Sequence, residues 1–177
     1  MFVVYVCPFF SENTRFFINA LAHMPEIRLG IISQDPLHYL GGSLQHRVEA
    51  FYQVSDCLNA GQLAGAAEAL TRAYGPIYRL LGPSEHTQVQ IAQVREHMNI
   101  EGMDSQTANN FRNKDQMKAC WRKAGVACAK SIAATKPADA WELIEQVGFP
   151  VCVKPLDGAA TQSTFRVNDA ETLTEVL

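Results

Sequence analysis

No stretch of this chain comes near the ~20 consecutive apolar residues that a membrane span requires. Lysine and arginine form neither a run nor a stripe, and the formal net charge is −3 over 177 residues. Nucleic acid and anionic membrane are therefore not the expected partners. Cys-x-x-Cys is missing too. The five cysteines, Cys7, Cys57, Cys120, Cys128 and Cys152, are odd in number and widely spaced, which argues against a disulfide framework or a zinc site. The five histidines include no pair of the H-E-x-x-H type. The apolar N-terminus, Met1 to Cys7, has no basic region before it and no small-residue cleavage site after it. It reads as a first strand rather than a secretion signal, and the protein as cytoplasmic.

Two phosphate-binding signatures are absent as well. No Gly-x-Gly-x-x-Gly follows the first strand and no Gly-Lys-Ser occurs anywhere. The first turn is instead Cys7-Pro-Phe-Phe-Ser-Glu-Asn13. The side chains of Phe9 and Phe10 would keep the backbone away from a pyrophosphate. A nicotinamide-dependent oxidoreductase, the reading that alternating strands and helices first suggest, thus lacks its phosphate site. Asp35, after the second strand, stands either as a ribose-binding acid or as a turn residue.

What is present is an ordinary globular composition, 47% hydrophobic and 19% charged. Residues 1–104 alternate strand and helix signals. Strands are expected over Phe2 to Cys7 and over 27–33, 48–54 and 76–81. Ser11 can cap a helix in which Phe16, Phe17, Ala20, Leu21 and Met24 recur at helical spacing. Residues 59–74 predict a helix with Leu63, Ala66, Ala67 and Leu70 on one face and Gly75 as its stop. Ser84 can cap another, with Val89, Ala92, Gln93, Val94 and Met98 as a partial apolar face. Repeated strand–helix units imply a Rossmann-like parallel sheet with ligands beyond its carboxyl edge. Glu85 and His86 fall at that edge, either lining a substrate or serving as turn and cap residues.

Residues 105–177 change character. The stretch 101–110 reads as a polar loop. Asn113-Lys-Asp-Gln116 then resembles a capping box opening a helix, with Met117, Cys120, Trp121 and Ala124 on one face. Lys114 sits at the first helical position, where a cation opposes the helix macrodipole unless an anion lies nearby. It is either a solvated lysine or an anion ligand. Residues 128–133 predict a strand. A helix opens at Thr135-Lys-Pro137 and buries Ala140, Leu143, Ile144 and Val147. A strand over 149–154 places Val151 and Val153 on one face and Cys152 and Lys154 on the other. Lys154 is expected to be poorly solvated and to need a partner. The alternative is an edge-strand lysine snorkelling to water. The loop 157–164 is small and polar, and lets backbone N–H groups approach an anion. A return strand over 164–167 follows, then a helix capped by Asn168. So few short elements after residue 104 rarely complete a domain, so the chain is expected to be part of a longer protein.

The phrases Asn113-Lys-Asp-Gln-Met-Lys118 and Gly148-Phe-Pro-Val-Cys-Val-Lys-Pro155, in this order and behind a strand–helix domain, resemble the front part of ATP-grasp enzymes. That superfamily includes biotin carboxylase, the large subunit of carbamoyl phosphate synthetase and related carboxylate–amine ligases. The likeness is best over residues 105–168. It implies an α/β fold, with residues 1–104 as a Rossmann-like pre-ATP-grasp domain and 105–177 as an incomplete α+β ATP-grasp subdomain. It implies ATP and Mg2+ as cofactors, with Lys114 and Lys154 on the phosphates. Gly158, Ala159, Thr161 and Ser163 would belong to a loop closing over them, and that loop is expected to be mobile without nucleotide. The metal ligands would lie downstream. The partners implied are a small carboxylate and an amine, with a homodimer as a further expectation. Ala159, Ala160, Thr161 and Thr164 stand where the family carries glycine. That departure motivates the alternative of a non-catalytic nucleotide-binding or oligomerisation module.

Overall fold

A computed structural model describes residues 1–159 and 161–177. They divide into two compact units, Met1–Ala108 and Asn109–Leu177. In the first, β1 (Phe2–Cys7), β2 (Arg28–Ser33), β3 (Ala50–Gln53) and β4 (Arg79–Leu81) form one parallel sheet in the order β3-β2-β1-β4. The continuous apolar run of β1 follows from its central place. All six of its residues are buried, because helices cover both faces of a parallel sheet. Val4 and Val6 pack with Leu63, Ala66 and Leu70 of α3 (Ala60–Tyr74) and with Ile91 and Val94 of α4 (Gln88–Met98). Tyr5 and Cys7 pack on the other side with Phe10, Leu40 and Ile18 of α1 (Glu12–Ala22). Each fully buried Leu, Ile or Val contributes roughly 1.5–3 kcal/mol. Short α2 (Gly42–Gln45) precedes β3.

Local chemistry sets the helix starts. Ser11 accepts the Thr14 N–H at 3.2 Å, and Asn59 accepts the Gln62 N–H at 3.1 Å. The inward face of α3 is the expected one. That of α1 is not. It rests on the sheet through Thr14 and Ile18, one turn apart, joined by the expected Leu21, while Phe16 and Phe17 are 69% and 45% exposed. Neighbours in sequence point about 100° apart on a helix, so neither phenylalanine shares the face that the sheet selects. Ser84 does not cap through its side chain. The amide of Gln88 instead donates to the Gly82 and Ser84 carbonyls at 2.6 and 3.1 Å. The inward residues of α4 are Ile91, Ala92 and Val94, with Gln93 exposed. The stretch expected as a loop before residue 110 contains α5 (Ser105–Arg112). Asp104 accepts the Thr107 N–H at 2.6 Å and caps it. Gly82 admits no side chain, since a Cβ there would lie 2.4 Å from Ile91 Cδ1 and 2.9 Å from the Val6 carbonyl.

The second unit holds α6 (Lys114–Lys123), α7 (Pro137–Val147), the antiparallel hairpin of β5 (Val151–Val153) and β6 (Phe165–Val167), and α8 (Ala170–Val176). Its core is small. Ala140, Val167 and Leu173 are buried, with Ile144, Phe149, Val151, Val153 and Val176 packed against them. Asn113 caps α6 by accepting the N–H groups of Asp115 and Gln116 at 3.0 and 3.1 Å. The capping box is not reciprocal, because the Gln116 side-chain Oε1 accepts from the Asn109 side-chain amide at 2.9 Å. Three expectations fail here. Residues 128–133 form no strand, because the two-stranded sheet contains only β5 and β6. No residue of α6 is buried, and Trp121 is 40% exposed, so its apolar spacing finds no covering layer. Asp169 rather than Asn168 caps α8, accepting the Thr172 N–H at 2.9 Å, since its extended backbone places the carboxylate over the first turn. Among the described residues no helix is long and apolar enough to cross a membrane.

Candidate functional site

Within the second unit a cavity of about 870 Å³ opens between α6, α7 and β5. One part of its lining is cationic, formed by Lys114, Lys118, Lys130, Lys154 and Arg166, with Asp115 the single acidic side chain among the described lining residues. Another part is apolar, formed by Ile132, Ala133, Leu143, Ile144, Val147 and Val151. Fixed positive charges beside an apolar wall suit an anion carried on an apolar or aromatic body.

Lys114 is held from two directions. Asn113 caps the helix that begins with it, and its own N–H donates to the Leu156 carbonyl at 2.9 Å. Its ammonium group donates to the Gly158 carbonyl at 2.7 Å, with a longer contact to the Leu156 carbonyl at 3.4 Å. The sequence pattern places Lys114 and the loop 44 positions apart in the chain, and the fold joins them. The dipole conflict expected at a helix start is thus met by loop carbonyl oxygens.

Lys154 follows β5 directly and lines the same cavity. It is exposed, which corrects the expectation of a poorly solvated ammonium group. The hairpin has two strands only, so the face of Cys152 and Lys154 is open to water. Arg166 stands opposite Cys152 in the register and shares that face.

Gly158 and Ala159 are half-buried, whereas Thr161 and Ser163 are exposed. Thr161 and Ser163 adopt left-handed backbone, with φ of 59° and 51°. That conformation favours glycine, and is rarer still for a β-branched residue. Two turn bonds shape the loop, from Gln162 N–H to the Ala159 carbonyl and from Thr164 N–H to the Thr161 carbonyl, at 3.1 and 3.2 Å. Ala160 lies outside the described residues.

Glu85 and His86 belong to the first unit. They occupy the 3-10 turn after β4 and are exposed. Asp35 serves the first turn, accepting the Phe10 N–H at 2.8 Å. Phe10 itself is buried in the core. Among the described residues no three His, Cys, Asp or Glu side chains converge as a metal site.

Sequence reasoning missed Lys118, Lys130 and Arg166. Two of these had a signal. Lys118 lies four residues after Lys114 on the same helix face, and alternation across the hairpin puts Arg166 on the Lys154 side. Lys118 Nζ also donates to the Ala129 carbonyl at 3.1 Å, pinning the extended stretch that supplies Lys130.

No family model matches the chain. Over 82 residues, 46% of its length, it is 30% identical to alanine–anticapsin ligase of Bacillus subtilis (strain 168), and it spans only 17% of that relative. Among solved structures, an L-amino acid ligase from Bacillus licheniformis superposes with a TM-score of 0.78 at 18% identity, covering 98% of this chain and 40% of that one. The biotin carboxylase domain of Hydrogenobacter thermophilus 2-oxoglutarate carboxylase, solved with MgADP and bicarbonate, gives 0.73 at 15% identity, covering 97% and 38%. The chain therefore has the fold of these two solved structures over about 40% of their length.

Proposed function

We propose that this chain forms one wall of the nucleotide site in an ATP-dependent ligase, which activates a carboxylate as an acyl phosphate for attack by an amine. In this reading residues 1–104 are the pre-ATP-grasp domain and 105–177 the first part of the ATP-grasp domain. The observation that carries it is the cavity in which Lys114 and Lys154 share a cationic lining beside an apolar wall. Its charge balance fits a polyphosphate. Lys114 and Lys154 would hold phosphate oxygens, and Gly158, Ala159, Thr161 and Ser163 would offer backbone N–H groups and hydroxyls. ATP, when bound, supplies the phosphoryl group that activates the carboxylate. The task of these residues is placement and charge. Phosphoryl transfer needs positioned cations and donors rather than covalent help from the protein, and the cap on Lys114 fixes where one cation stands. Asp115 alone is too few carboxylates to hold Mg2+, so we place the metal ligands in the part of the relatives' length that this chain does not span. Glu85 and His86 are assigned to the substrate side. A cytoplasmic location and a homodimer belong to the same proposal.

Two relatives are named for ligases of amino acids, so pairs of L-amino acids form the first substrate panel. The intact protein is expected to release ADP only when a carboxylate and an amine are both present. Tight ATP binding without ADP release for any pair would favour the non-catalytic module, a reading that the left-handed Thr161 and Ser163 support. The 177-residue chain alone is expected neither to turn over ATP nor to bind it tightly. Ligase activity in it would refute the division of the site.

A further inference from the structure

Arg112 has no role in the reading above, and its setting is unusual. It is the one charged side chain among the described residues that is buried, at 9% exposure. A guanidinium group taken out of water needs acceptors. One that the fold supplies is the Gly158 carbonyl, 3.4 Å from Arg112 NH1. The same oxygen accepts from Lys114 Nζ at 2.7 Å. Two cations thus converge on one neutral carbonyl at the head of the loop.

Arg112 and Lys114 differ in how they are held. Arg112 ends α5, where a cation is favoured by the helix dipole, and it does not line the cavity. Lys114 begins α6, where a cation is disfavoured, and it does line the cavity. An anion entering the cavity competes with Gly158 for Lys114 but cannot reach Arg112 directly. A carboxylate or phosphate oxygen is a stronger partner for an ammonium group than a peptide carbonyl.

We propose that Arg112 is a positioning residue for the phosphate site. It holds the Gly158 carbonyl in place, so that the Lys114 ammonium can turn toward a phosphate without releasing the loop. The proposal rests on the nucleotide-site reading and names a residue outside the cavity that acts through the Gly158 backbone.

The test uses the intact protein with Arg112→Met and Arg112→Lys. Loss of one charge-assisted hydrogen bond corresponds to about a tenfold effect. In Arg112→Met, KM for ATP is expected to rise about tenfold with kcat within about threefold of wild type, and amide exchange in peptides covering Leu156 to Thr164 is expected to accelerate about tenfold. Arg112→Lys is expected to restore most of both. Thermal unfolding of the two variants separates a lost fold from a lost clamp. If Arg112→Met remains folded and its loop exchange matches wild type, the proposal is wrong. It is also wrong if KM moves no more in Arg112→Met than in Arg112→Lys. If no substrate pair supports turnover, the ligase reading fails while loop exchange still decides the role of Arg112.

Discussion

The first unit should lose stability steeply in alkali, where two buried thiols act first and the buried Tyr5 hydroxyl, also raised by burial, adds to them at higher pH. Cys7 and Cys57 are 1% and 0% exposed. Burial raises both thiols from the ordinary 9.0 to about 12, helped at Cys7 by the Cys57 and Asp35 charges and at Cys57 by that of Asp56. In the unfolded chain each thiol loses its proton near pH 9, whereas in the folded protein it keeps the proton to about pH 12. The unfolded state therefore binds fewer protons across that window, and stability falls as pH rises. Each thiol removes about 1.4 kcal/mol per pH unit, or about 4 kcal/mol over the window. A domain typically has 5–15 kcal/mol in total. The assay is urea unfolding at a series of pH values from about 8 to 11, followed by far-ultraviolet circular dichroism. Tryptophan fluorescence would be the wrong probe, because Trp121 and Trp141 both lie in the second unit. The double variant Cys7→Ala/Cys57→Ala should start less stable but decline less steeply, by close to 2.7 kcal/mol per pH unit when both thiols count. An unchanged slope would refute the assignment of the alkaline loss to these thiols.

Three further outcomes are expected. Lys154→Ala in the intact protein should weaken ATP binding by roughly 1.5–3 kcal/mol, the loss of a charged hydrogen bond; titration calorimetry showing wild-type affinity would remove Lys154 from the site. Gly82→Ala should destabilise the first unit by roughly 1–3 kcal/mol through overpacking against Ile91 and the Val6 carbonyl, with a wild-type denaturation midpoint as the contrary result. Ser163→Gly should stabilise the second unit by up to ~1 kcal/mol by relieving its left-handed backbone, read as a higher Tm for the tryptophan-monitored transition.

The parts of this architecture written in local pattern were legible from the residues. The buried run of β1, the Ser11 cap and the inward face of α3 follow from rules that act within one or two turns. Where the structure departs, a neighbour decides. The sheet selects Thr14 and Ile18 over the larger Phe16 and Phe17. Residues 128–133 have the composition of a strand but no ladder to join among the described residues. The site divides the same way. Lys114 stood out because its place at a helix start is a local anomaly. Its union with Gly158 spans 44 positions and no spacing rule encodes it. Arg112 was invisible for the opposite reason. At the end of a polar helix it resembles any solvated arginine until its burial is known.

The strand order has a consequence for synthesis. Of the four strands of this sheet, β1 is made before the others and is an inner one, with β2 beside it on one side and β4 on the other. During translation its partner on the first side emerges early, whereas Arg79 to Leu81 complete the second side only much later. Until then the nascent chain exposes an apolar, hydrogen-bond-hungry edge, the kind that recruits other chains. We therefore expect chaperone contacts with ribosome-bound chains to peak after β3 has emerged and to fall once β4 docks. Crosslinking to stalled chains of increasing length would detect this, and a flat profile would contradict it.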